Sequence, residues 1–252
     1  MKKATLAIAM LTLLSFGAAQ AQTHFSLRLG GAFPMGKFAD ASANYSTGNL
    51  NWGLYDNSKK GGAGIGVTLG GNFKYDIASV KGLGVVVSLD LMYNTLNSDI
   101  NDYFEELVDA TESNTREYSV TTPKYINIPV MVGLGYTYEA TPALGLFAEV
   151  AIGANLRMIT KAEENDYFTT TQYEKITTSE FNTAATFAWR IGGGLMLNSK
   201  YTIGVDYYSL GMAKAEGTTY TEINGVEGTN PPNFKAGKIT PTILTLRLGI
   251  NF

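Results

Sequence analysis

The chain has 252 residues, a formal net charge of -3, 45% hydrophobic residues, 28 Gly, 15 Tyr and no Cys. The mild acidity argues against nucleic acid as a partner, and the lack of cysteine excludes a disulfide framework, a thiolate metal site and a lipobox for lipoprotein attachment. The length suits one all-β domain.

Residues 1–21 carry the pattern of a secretory signal peptide: basic Lys2 and Lys3, an apolar run from Ala4 to Phe16, and the small-residue cleavage site Ala19-Gln20-Ala21. Cleavage after Ala21 removes the two lysines and takes the formal charge from -3 to -5. The expected division is therefore a leader over 1–21 and one β-domain over 22–252. The apolar run is too short to span a membrane comfortably. No later stretch approaches the roughly 20 apolar residues of a transmembrane helix, so an exported chain of this kind is integral only as a closed barrel.

The mature chain then alternates with a period of two, which marks strands with one apolar and one polar face. Strands are predicted over His24–Ala32, Gly64–Tyr75, Leu83–Leu96, Lys124–Tyr138, Leu144–Met158, Thr183–Leu197, Tyr201–Leu210 and Ile243–Phe252. Pro129 inside the fourth removes a ladder donor, so a bulge is expected there and the register upstream of it is left open. The last strand, ILTLRLGINF, sets Leu244, Leu246, Leu248, Ile250 and Phe252 against Thr245, Arg247, Gly249 and Asn251.

Eight strands separated by links that run long, short, long, short, long, short, long describe an eight-stranded antiparallel up-and-down transmembrane β-barrel. Such a barrel has short periplasmic turns, four long extracellular loops and both termini in the periplasm. Soluble sandwiches have no such regular alternation of loop length. A soluble ligand carrier would turn the apolar faces inward. Here the polar faces carry single charges among small residues, which suits a crowded interior, so the apolar faces are assigned to lipid. Phe25, Tyr75, Tyr136, Tyr138, Tyr201 and Phe252 fall at the periplasmic strand ends on the apolar face and are predicted to form an aromatic girdle.

Arg28, Asp90, Glu149, Arg190, Asp206 and Arg247 all have inward parity at similar heights. Strand order puts Arg190 beside Glu149 and Asp206, and Asp206 beside Arg247. Three positive and three negative charges sum to zero, as a dry interior requires, and they predict a salt-bridged structural core in a barrel too narrow for an open pore. Lys74 falls nearer the periplasmic rim and Arg157 nearer the outside.

His24, the sole histidine, sits near the periplasmic rim, where no Ser or Asp partner at a plausible height is expected to make it a general base. No catalytic, cofactor-binding or metal-binding residues are assigned. The second long link holds Asp99, Asp102, Glu105, Glu106, Asp109, Glu112 and Glu117 against Arg116 alone. A helix from Asp102 to Ala110, opened by an Asp cap, fits part of it. Its acids lack the central Gly of a calcium loop and read as a solvated face. The Thr-rich third link, Phe168 to Phe181, predicts a ribbon prolonging two strands beyond the membrane, with exposed edges on which a protein partner can add a strand.

These features resemble the small outer-membrane β-barrel families, including OmpA- and OmpX-type barrels, and in particular the PorT-like barrel domain common in Bacteroidota. The residues that carry the likeness are FSLRLGGAFP (Phe25 to Pro34), YINIPVMVGLGY (Tyr125 to Tyr136) and the terminal LRLGINF, whose closing aromatic resembles the end of other outer-membrane barrels. The resemblance implies an outer-membrane location, lipid as surroundings and the barrel-assembly machinery as a partner in biogenesis. Some members of the family it resembles are associated with protein secretion. Together with the ribbon's edges, which offer a protein partner a place at the extracellular loops, this gives a non-enzymatic role in structure, surface interaction or secretion as the expectation. A small porin-like channel and a lipid-modifying enzyme are the alternatives.

Overall fold

In the computed structural model the described residues are 23–40, 60–229 and 231–252. The predicted leader over 1–21, much of the first long link and Asn230 lie outside them. Eight strands close into a barrel: β1 (Thr23–Pro34), β2 (Ala63–Asp76), β3 (Leu83–Leu96), β5 (Tyr125–Thr141), β6 (Leu144–Ile159), β9 (Ala184–Leu197), β10 (Tyr201–Ser209) and β14 (Thr242–Asn251). Their order around the wall is β1-β14-β10-β9-β6-β5-β3-β2, antiparallel throughout. The seam joins the first and last of these strands, with Leu27 opposite Ile250 and Leu29 opposite Leu248. The amide of Phe252 donates to the Phe25 carbonyl at 2.8 Å. Closure leaves no free edge in the wall.

The alternation sorts side chains inside out. Leu29, Ile65, Phe187 and Leu248 are each more than 60% exposed on the outer face, while Arg and Asp side chains are buried within. The bulge expected at Pro129 is absent. Leu89 pairs with Val130 and Met92 with Asn127 in one unbroken register, and Pro129 stays opposite Asn155 on its other side. Only the rungs to β3 between those pairs are missing. A proline that lacks a donor toward one neighbour drops rungs there without inserting a residue.

The short links, Thr23 and Phe252 share one end of the barrel, and the described parts of the long links lie at the other. The second long link forms α1 (Ser98–Thr111), which starts earlier than predicted because Asn97, not Asp102, caps it: its side chain accepts from the Asp99 amide at 3.0 Å. No described helix is long and apolar enough to cross a membrane. Beyond the loop end stands a second, six-stranded sheet made of β4 (Arg116–Thr121), β7 (Ala162–Phe168), β8 (Tyr173–Phe181), β11 (Ala213–Ile223), β12 (Val226–Glu227) and β13 (Asn233–Ile239). The ribbon predicted in the third link is β7–β8. Its edges are not free, because β4 from the second link pairs with β7 and β11 from the fourth pairs with β8. Asn224-Gly225, both at positive φ, make the two-residue turn from β11 to β12.

Candidate functional site

Arg28, Asp90, Glu149, Arg190, Asp206 and Arg247 are each more than nine-tenths buried in the lumen and form one connected cluster. Arg190 lies at its centre, donating to Glu149 Oε2 at 2.7 Å and standing 3.8 Å from Asp206 Oδ1 and 3.9 Å from Asp90 Oδ2. Arg247 donates to Asp206 and, at 3.0 Å, to Asp90 Oδ1. Arg28 reaches across the lumen to Glu149 at 3.3 Å. Strand adjacency gives the Arg190–Glu149, Arg190–Asp206 and Arg247–Asp206 pairs. It does not give the contacts to Asp90 or the one from Arg28, which join strands that are not neighbours. Two neutral members also went unpredicted. Tyr208 donates to Asp90 Oδ2 at 3.0 Å and lies beside the guanidinium groups of both Arg190 and Arg247, and Asn72 donates to Glu149 Oε1 at 2.8 Å.

Small residues make room for this layer. Gly70 pairs with both Arg28 and Asp90, Gly192 with Glu149 and Asp206, and Gly30 and Gly204 with Arg247. A Cβ at Gly70 would sit 1.9 Å from Asp90 Oδ1, and one at Gly192 2.0 Å from Asp206 Oδ1. A side chain there would have to push the neighbouring carboxylate out of its place. The glycines abundant in the sequence are therefore partly the complement of the charges, at sites where a neighbour's head group needs the space.

The lumen differs above and below the layer. At the turn end a polar cavity of about 240 Å³ is lined by residues including Ser26, Asn72, Lys74, Asp76, Thr202 and Glu139. Lys74 lies 2.9 Å from Asp76 there. The expectation that His24 lacks an acidic partner is overturned, because Asp76 Oδ2 lies 3.1 Å from His24 Nε2. Residues 24 and 76 end adjacent strands, and sequence distance hid the contact. Ser26 shares the cavity, but its hydroxyl donates to Asn251 Oδ1 at 2.8 Å, so its proton is engaged away from His24. At the loop end the lumen is filled by a cap of Phe38, Met92, Ile100, Phe104, Tyr125 and Leu210, all nearly or fully buried, beside the buried Asn94, Asn127, Asn155 and Arg157. Phe38 and Tyr125 stack edge to face at 5.0 Å.

The second sheet has two unlike faces. On one, Arg116 and Lys175 stand against Asp166 and Glu164. Arg116 grips Asp166 with two bonds of 2.6 and 2.8 Å, its guanidinium lies 4.9 Å from the Phe168 ring and 5.6 Å from the Tyr118 ring, and Tyr118 donates to Glu164 at 2.7 Å. Burial, then the bond to Glu164, pushes the Tyr118 phenol well above its ordinary pKa, and the bond to Asp166 raises Arg116 further. On the other face the cross-strand rows read Glu117–Tyr167–Glu174, Ser119–Asn165–Ile176–Glu222 and Thr121–Glu163–Thr178–Tyr220. No basic residue stands in those rows; Lys161, just outside, reaches Glu163 at 2.7 Å.

A match to the family described as "Outer membrane protein beta-barrel domain" extends over residues 19–211, most of the chain. The chain belongs to this family. No curated protein matches it. Among solved structures it is similar to Ail, the attachment invasion locus protein of Yersinia pestis, at 13% identity over 92% of this chain and 99% of that one, with a TM-score of 0.35. It is also similar to OprG of Pseudomonas aeruginosa (12% identity, 92% and 97% covered, TM-score 0.41) and to a major outer membrane protein of Thermus thermophilus (12%, 92% and 100%, 0.45).

The exposed apolar face of this outer-membrane barrel is thus its lipid face. Phe25, Tyr75, Tyr136, Tyr138, Tyr201 and Phe252 all point outward at the turn end, with the Phe25 and Phe252 rings 6.1 Å apart. A second outward group, missed in the sequence, stands nearer the loop end: Phe187, Trp189 and Tyr207, the last two 5.5 Å apart. On β9 the outward residues from Phe187 to Leu197 cover about 33 Å along the strand, and a tilt of about 40° brings that to about 25 Å of height, the apolar band expected of such barrels.

Proposed function

We propose that this outer-membrane barrel is a sealed, non-enzymatic anchor that displays the six-stranded sheet at the cell surface as a docking surface for a protein partner. The observation that carries this reading is the sheet itself. Strands from three separate links are spent on building one stiff platform outside the membrane. One face sets Arg116 and Lys175 against Asp166 and Glu164, and the other is acidic and bears Tyr167 and Tyr220. Because the ribbon edges are occupied, the partner meets that face rather than adding a strand.

The layered lumen supports the anchor role over the small-channel alternative. The neutral charge cluster fills one layer of the lumen and the cap, packed beside the buried Asn127, Asn155 and Arg157, fills the next, so the six charges act as a structural plug. His24 and Ser26 do not hydrogen-bond to each other, which gives the lipid-enzyme alternative no nucleophile. The rest of the proposal is a cleaved leader over 1–21, a barrel domain over 22–252 delivered by the barrel-assembly machinery, periplasmic termini, the six turn-end aromatics as an interface girdle, and a PorT-like, secretion-associated kinship.

Co-purification from native outer membrane tests the docking role. Glu117→Lys with Glu174→Lys is expected to lose a partner that Arg116→Lys retains. A partner held equally by both variants would remove the acidic face from consideration. Steady single-channel steps in planar bilayers would overturn the sealed lumen.

A further inference from the structure

Arg157 is the odd charge of the lumen. It is 1% exposed, yet no carboxylate lies within ion-pair distance of it among the described residues. The guanidinium instead donates to three backbone carbonyls: Ala213 at 3.4 Å, Ile239 at 3.3 Å and Lys214 at 2.9 Å. Ala213 and Ile239 face each other at the root of the β11–β13 pair. One side chain of the barrel wall thus clasps both legs of the fourth link where it leaves the barrel.

The roots of that link also close the mouth. Leu210, Ala215, Ile239 and Ile243 are nearly or fully buried members of the apolar cap. At one root Gly211 has a φ of +73°, with no room for a Cβ against the Phe187 carbonyl. At the other, the Pro241 carbonyl accepts from the Leu210 amide at 2.9 Å. Further out, the β11–β13 register slips between Lys214 and Glu216, so the hairpin is least regular just above the clasp. A buried cation held only by neutral acceptors is a costly arrangement to retain, and here each of its bonds acts on the position of one link.

We propose that the fourth link is a latched lid, in which Arg157 holds the roots of β11 and β13 over the barrel mouth. Release of the latch lets the link lift, and in lifting it uncovers the edge of β8 that β11 occupies from Lys175 to Phe181. The lid gains its significance from the surface-docking reading of the sheet. Its test needs no partner, so the two fail separately.

The test is limited proteolysis of the full-length protein in native outer-membrane vesicles, with cut sites mapped by mass spectrometry and barrel integrity checked by heat-modifiable mobility. Arg157→Met is expected to speed cleavage within residues 211–241 at least about tenfold, since cutting tracks the open population, with the second and third links unchanged. Arg157→Lys, which keeps the charge and part of the donor set, should fall between. The chain has no cysteine, so a disulfide between Thr178→Cys and Tyr220→Cys, directly opposite on β8 and β11, reports lifting. It should abolish the acceleration. An unchanged rate in a folded variant, equal acceleration in every link, or acceleration that survives the disulfide would each overturn the lid. If the Met variant does not insert, the Lys variant decides by the same criteria.

Discussion

The molecule contains two antiparallel sheets that obey opposite rules. The barrel sheet exposes Leu, Ile and Val and buries Arg, Asp and Glu. The projecting sheet is of mixed polarity on both faces, and most of its central residues are only half-buried. The barrel removes its edges by closing on itself. The projecting sheet covers the edges of its central ribbon with strands borrowed from other links. The same backbone physics operates in both, so the contrast comes from the surroundings. Lipid accepts no unpaired backbone group and no charge, whereas water accepts both.

The largest test of that contrast removes the central charge. Arg190→Met leaves Glu149, Asp90 and Asp206 undercompensated and should cost the barrel about 3–5 kcal/mol, read by urea titration in lipid vesicles. Next comes one residue type placed in both sheets. Leu248→Arg on the lipid face should cost about 2–4 kcal/mol near mid-membrane, whereas Glu180→Arg on the projecting sheet should stay within about 0.5 kcal/mol. Equal costs would refute the assignment of the two surroundings. Gly70→Ala, which forces the Asp90 carboxylate aside, should cost about 1–3 kcal/mol, and the same change at Gly71, whose added Cβ would come no closer than 3.5 Å to the Phe25 ring, should cost less.

The smallest effect is a pH dependence confined to the projecting sheet. The folded sheet favours neutral Tyr118, so its contribution is whole below the ordinary tyrosine pKa of 10.0. It is lost as pH rises above that value, because the unfolded segment ionises first. Protease sensitivity of the second and third links should therefore climb in alkali, and Tyr118→Phe should flatten that slope.

The barrel wall was largely legible in the sequence because lipid on one side and a filled lumen on the other force strict alternation, and register carries every inward charge with it. The contacts of Asp90 and Arg28 across the lumen were not, since closure brings together strands that no adjacency rule connects. Phe38, Ile100 and Phe104 of the apolar cap lie in links without a two-residue period, so nothing marked them as core. The threonines of the third link mark the ribbon. Its neighbours β4 and β11 lie in links whose acidic or turn-rich composition masked short strands. The His24–Asp76 contact joins residues 52 positions apart at the ends of two adjacent strands, a separation that the period of each strand does not reveal.

The seam between β1 and β14 sets a constraint on time as well as on shape. The strands that close the wall are separated by more than 200 residues of chain, so the ladder that seals the cylinder is the least local contact in the molecule, and the loop entropy it must overcome is the greatest. Until β14 is in place, β1 and β10 each present an open edge backed by an apolar face. Export must therefore deliver the final strand before the earlier ones find other partners. In this fold the strands follow one another around the ring in chain order, so the last to be made is the one that closes it.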